Sequence, residues 1–104
     1  MMQVNLDPKT AYQILDRYQV VDVREPEEWQ EGVLPGALRL PLSKLSSLAA
    51  QYLKRDQPVL LYCRSGNRSQ EARETLRKLG YPRVAHLEGG LKAWREAGIP
   101  CTSP

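Results

Sequence analysis

No apolar run in this chain approaches the roughly 20 residues needed to cross a bilayer, so no membrane span is expected. The start, Met1-Met2-Gln3-Val4-Asn5-Leu6, lacks the basic stretch and long apolar region of a signal peptide. Histidine occurs once and cysteine twice. His86, Cys63 and Cys101 do not form a set with zinc-ligand spacing, so no metal is expected. A structural disulfide is disfavoured, because Cys63 follows a buried apolar stretch, Cys101 lies in the C-terminal tail, and nothing marks the chain for an oxidising compartment. The net charge is only +3, and the basic residues are scattered without runs or aromatic interleaving, which argues against a nucleic-acid partner. What remains is a soluble, cytoplasmic protein whose 104 residues make one domain, 1–104, large enough for its own core.

The hydrophobic pattern predicts short strands alternating with helices. Val4 to Leu6 is a strand; Asp7 caps a helix over 8–17 with Pro8 at its first position and Ala11, Ile14, Leu15 and Tyr18 at helical spacing. Gln19 to Val23 is a buried strand, Pro26 to Gln30 a helical turn and Ala37 to Leu40 a short strand. Ser43 is placed to cap a helix reaching Leu53. Pro58 to Tyr62 is a further buried strand, Gln70 to Leu79 a helix ended by Gly80, Val84 to Leu87 a strand, and Leu91 to Ala97 a last helix closed by Gly98. This alternation predicts an α/β fold with a mainly parallel sheet and helices on both faces. In such sheets ligands bind beyond the carboxyl ends of the strands.

One of those ends carries Tyr62-Cys63-Arg64-Ser65-Gly66-Asn67-Arg68-Ser69. A free thiol has a pKa of about 8.5 and is mostly protonated at neutrality. A helix N-terminus and nearby arginines favour the thiolate, because unpaired amides and positive charge converge there. Cys63 is therefore the candidate nucleophile. Gly66 permits the turn that lets amides converge, Asn67 or Ser69 can cap the following helix, and Arg68 and Arg64 are placed to meet an anionic substrate.

These residues are joined by Val21-Asp22-Val23-Arg24-Glu25, Gly32-Val33-Leu34-Pro35-Gly36-Ala37, Leu87-Glu88-Gly89-Gly90, Trp94 and Gly98-Ile99-Pro100. Together, in this order, the chain resembles a single-domain rhodanese over nearly its whole length. The resemblance implies a five-stranded, largely parallel sheet and a sulfurtransferase. Its chemistry would use Cys63 as nucleophile and persulfide carrier, with the amides of Arg64, Ser65, Gly66, Asn67, Arg68 and Ser69 cradling the outer sulfur. Thiosulfate or another small sulfur-containing anion would be the donor, cyanide or a thiol the acceptor, and no cofactor would be needed. Val33 stands where the family often has histidine.

Two rivals are set beside this. Phosphatase or arsenate chemistry uses a similar Cys-loop-Arg site but separates Cys and Arg by five residues; here four intervene, a smaller cradle. Alternatively the domain is a sulfur-relay or regulatory module whose partner is a sulfur-acceptor protein. Asp22 and Arg24 are read as structural, with Glu88 as a conceivable partner for Arg24. Trp29 and Trp94 are read as packing residues. His86, distant from the loop in sequence, is read as a structural or surface histidine, and Cys101 as a mobile-tail cysteine able to resolve a persulfide.

Overall fold

The computed structural model describes residues 2–103, with residues 2 and 3 described by their backbone alone. Strand β1 (Met2–Leu6) leads into α1 (Pro8–Gln13). Asp7 caps α1 by accepting from the Thr10 amide at 3.3 Å, with Pro8 where no helical partner is lost. The helix is shorter than its periodicity suggests. Ile14 leaves helical geometry at φ −120°, and a tight 3-10 turn over Leu15–Arg17 completes the passage to β2 (Gln19–Asp22).

A 3-10 segment (Pro26–Glu31) and the short β3 (Leu38–Arg39) come next, then a 3-10 turn (Leu42–Lys44) and α2 (Leu45–Tyr52). Ser43 does not cap α2. The intervening turn carries its hydroxyl to the Glu25 carboxylate instead, at 3.2 Å from each oxygen. Then come β4 (Val59–Tyr62), α3 (Asn67–Lys78), β5 (Arg83–Leu87) and α4 (Gly90–Glu96).

The five strands form one sheet in the order β1-β5-β4-β2-β3, and all its pairings are parallel. Alternation along β4 sends Val59, Leu61 and Cys63 to one face and Leu60 and Tyr62 to the other. On the first face they pack with Leu45 and Ala49 of α2 and Ala72 and Leu76 of α3. On the second they meet Ala11 of α1 and Leu91 and Trp94 of α4. Helices thus cover both faces, and β4, buried throughout, is the spine between two cores. Tyr81 braces α2 from the first core by donating to the carbonyls of Ala49 and Leu53. Trp94 anchors the second core; it is fully buried, meets Tyr12 edge-on at 5.7 Å and donates to the Pro100 carbonyl at 3.1 Å.

The C-terminal segment is tied down rather than loose. Val33 and Thr102 exchange backbone hydrogen bonds of 3.0 and 2.9 Å, which sets the half-buried Cys101 against the second core. Cys63 belongs to the first core, across the sheet, and both thiols are free. Opposite faces give Cys101 no short path to Cys63, so the mobile-tail expectation is corrected.

Candidate active site

β4 delivers Cys63 to the sheet's carboxyl edge, directly beneath the start of α3. Gly66 turns the chain there with φ +108° and ψ −12°, a conformation in which a side chain would be strained. The turn brings the Gly66 amide to 3.0 Å from Cys63 Sγ, and the Ser69 amide adds a second contact at 3.4 Å. Helix α3 starts at Asn67, three residues before the sequence pattern places it, and Gly66 is its N-cap without any side-chain cap bond. Neither Asn67 nor Ser69 caps it. The sulfur of Cys63 does that work, accepting the first-turn amide that an N-cap oxygen would otherwise take. Although Cys63 is 1% exposed, its sulfur faces donors and not only hydrocarbon.

The loop is held from outside by the first turn of α4. Leu91 donates its amide to the Cys63 carbonyl at 2.8 Å and Lys92 to that of Arg64 at 3.0 Å. Gly90 makes this approach possible: with φ +61°, a Cβ on it would lie 2.5 Å from the Cys63 carbonyl oxygen and 2.6 Å from Arg64 backbone atoms. The Gly89-Gly90 pair therefore belongs to the architecture of the site.

Of the other loop residues, Arg64, Ser65 and Asn67 are exposed, Arg68 is half-buried, and Gly66 and Ser69 are buried. Arg68 is not a free cation. Its guanidinium donates to both carboxylate oxygens of Glu28, at 2.6 and 2.8 Å. Arg68 holds the Glu28 carboxyl down at about 2, against 4.5 for an ordinary Glu. Glu28 in turn raises the Arg68 pKa further. Sequence reasoning passed over Glu28, whose local signal is only the Pro26-Glu27-Glu28 helical start.

Asp22 and Arg24 are completely buried on the opposite face and are structural, as expected, but Arg24 pairs with Asp22 and not with Glu88. Asp22 accepts from the Arg24 amide at 2.9 Å, from its guanidinium at 2.7–3.1 Å and from the Tyr62 hydroxyl at 2.8 Å. Arg24 also donates to the carbonyls of Glu28 and Gly32, and Tyr62 accepts from the Leu34 amide. Burial, followed by the Asp22 charge, pushes the Tyr62 hydroxyl far up, so it stays a donor. This cluster fixes the segment that presents Glu28 to Arg68.

His86 is the residue that sequence separation hid. It is 2% exposed, and its Nδ1 lies 2.5 Å from the Ser69 hydroxyl, which is 3.6 Å from Cys63 Sγ. Strand alternation could have found it: β5 lies beside β4, and His86 pairs in register with Leu61, on the face that Cys63 shares.

Comparison with known proteins gives the family. The rhodanese-like domain model matches residues 7–97, and the chain belongs to that family. A sulfurtransferase of Allochromatium vinosum is 41% identical over 82% of this chain and 78% of its own length. A putative sulfur carrier protein of Bacillus subtilis, YrkF, is 32% identical over 72% of this chain but only 40% of its own. A rhodanese-related protein of Thermoplasma volcanium superposes with a TM-score of 0.85 at 34% identity, covering 93% of this chain and 95% of that one. Other curated relatives are covered over 55% and 60% of their length.

Proposed function

We propose that this sulfurtransferase-family protein carries a sulfane sulfur as a persulfide on Cys63. The observation that supports it most is the convergence of the Gly66 and Ser69 amides on Sγ. In the first step the thiolate attacks the outer sulfur of thiosulfate. A Cys63 S–S bond forms, the S–S bond of thiosulfate breaks, and sulfite leaves with the electron pair. In the second step cyanide, or an acceptor thiolate, attacks the outer sulfur. Thiocyanate or a new persulfide departs and the Cys63 thiolate returns. Once Cys63 is ionised neither step needs a base, and a covalent relay of this kind gives ping-pong kinetics.

The first-turn amides of Asn67 and Arg68 have no helical carbonyl to bond and are suited to receive the outer sulfur. Arg64, exposed beside them, adds positive charge at the mouth, whereas Arg68 is shared with Glu28. Small sulfur-containing anions are thus the proposed donors, and the reducing cytoplasm, where thiols stay free, is the proposed setting.

A sulfur-acceptor protein is the second reading. Its support is the relative named as a putative sulfur carrier, together with a cleft of about 400 Å³ beside the loop lined by Arg64, Lys92 and Arg95 as well as Glu31 and Glu96. Steady-state thiocyanate formation tests the first reading. Parallel double-reciprocal lines, and no activity in Cys63→Ser, are expected. Turnover of phosphate esters without any thiosulfate turnover would replace it with phosphatase chemistry.

A further inference from the structure

Ser69 has one hydroxyl proton and three neighbours for it. Its oxygen lies 3.1 Å from the Gly66 carbonyl, 3.6 Å from Cys63 Sγ and 2.5 Å from His86 Nδ1. All three side chains are buried, and together they form a continuous path from sulfur to imidazole. The persulfide chemistry above starts from a thiolate and leaves open where the thiol proton goes.

We propose that His86 is a positioning residue that stores the Cys63 proton, received through the Ser69 hydroxyl. The thiol S–H bond breaks and its proton joins Ser69 Oγ, while the original Ser69 proton moves to His86 Nδ1. Sulfur becomes thiolate, the imidazole becomes imidazolium, and Ser69 ends with its proton directed at sulfur. The net charge of the pocket does not change. The Ser69 hydroxyl then adds a third donor to the Gly66 and Ser69 amides.

The surroundings of His86 suit the role. Burial, and then Arg73, hold the imidazole below its ordinary pKa, so it rests neutral with a nitrogen free to accept. Arg73 of α3 is the charged group that faces it, and its guanidinium is occupied by the Val4 carbonyl and Asn5 Oδ1. From β1 comes Asn5, in register with His86 and uncharged; from β4 come Leu61 and, beyond it, the Cys63 thiol. The ring also closes against Gly66, where a Cβ would sit 3.2 Å from Cε1. In this setting an imidazolium is costly unless a thiolate forms with it, which couples the two ionisations.

The role of His86 rests on Cys63 being the reactive sulfur, but its test reads ionisation and not sulfur transfer, so the two can fail separately. The full chain with Cys101→Ser leaves Cys63 as its single thiol, and His86 as the only histidine gives a single set of imidazole NMR signals. The NMR midpoint of His86 and the rate of iodoacetamide alkylation are followed from about pH 5 to about pH 9. Adding Cys63→Ser is expected to lower the His86 midpoint by about one unit, because the partner anion is lost. His86→Asn keeps a donor at the Nδ1 position but no base; with it, alkylation at neutral pH is expected to slow about tenfold, and with Ser69→Ala likewise. An unchanged His86 midpoint without the sulfur, or an unchanged alkylation profile in folded His86→Asn, would overturn the proposal. If His86→Asn does not fold, the midpoint comparison decides alone.

Discussion

At the scale of single residues, two charged pairs have different jobs and different vulnerabilities. Asp22 and Arg24 are both fully buried. Removing one partner leaves the other as an uncompensated interior charge, which costs about 3–5 kcal/mol. Asp22→Ala is expected to lower unfolding stability by that much in urea titrations, with Tyr62 and Arg24 losing their shared acceptor. Glu28 and Arg68 are only partly buried, so their pair is worth on the order of 1 kcal/mol. Because Glu28 titrates lower in the fold, at about 2, than its ordinary 4.5, its contribution is complete above the ordinary value. It is lost as pH falls through the folded value. Acid titrations should therefore show a shallower stability loss for Glu28→Gln than for the parent between about pH 4.5 and about pH 2. Equal slopes would mean that Arg68 does not hold Glu28 in solution.

The amide-lined place of Cys63 was legible from one residue and its neighbours: a cysteine at a strand end, followed by glycine and arginine. Glu28 and His86 were not, since each acts across a long sequence separation and takes its meaning from tertiary contact.

At the scale of elements, the decisive feature is how α3 begins. Asn67, Arg68 and Ser69 read as loop because they are polar, yet they form the helix's first turn. Helix starts are read from side-chain caps; here the cap is the sulfur of Cys63, the residue just after β4, which no local pattern encodes. Likewise the helix over 8–17 breaks at Ile14, since the chain must turn into β2 within a few residues, a tertiary demand that periodicity does not carry. The glycine pair at the start of α4 lets the Leu91 and Lys92 amides clamp the Cys63 loop. Gly90→Ala tests this. Left-handed strain of about 1–3 kcal/mol would add to a clash with the Cys63 and Arg64 backbone. We expect a stability loss of about 2 kcal/mol or more, together with slower alkylation of Cys63 as the loop shifts. Unaltered melting and alkylation would show that the clamp is dispensable.

At the scale of the whole molecule, the α/β class and the layered, parallel sheet were readable because buried strands alternate with amphipathic helices along the chain. The strand order was not, because it depends on which crossovers pass over which face. That order puts β4 between β2 and β5. Its neighbours can therefore bring Asp22 to Tyr62 on one face and His86 to Ser69 on the other, both close to the Cys63 loop. The second core and the Val33–Thr102 bridge keep Cys101 across the sheet from Cys63. Cys101→Ser is accordingly expected to leave thiosulfate turnover within about twofold of the parent, in assays run with and without peroxide.

Intact-protein mass spectrometry after brief exposure to thiosulfate, with peptide mapping of the product, bears most directly on Cys63 as the sulfur carrier. A gain of one sulfur located at Cys63, reversed by cyanide, is the predicted result. Thiocyanate production without any sulfur-bearing form of the protein, or an added sulfur found on Cys101 in its place, would contradict it.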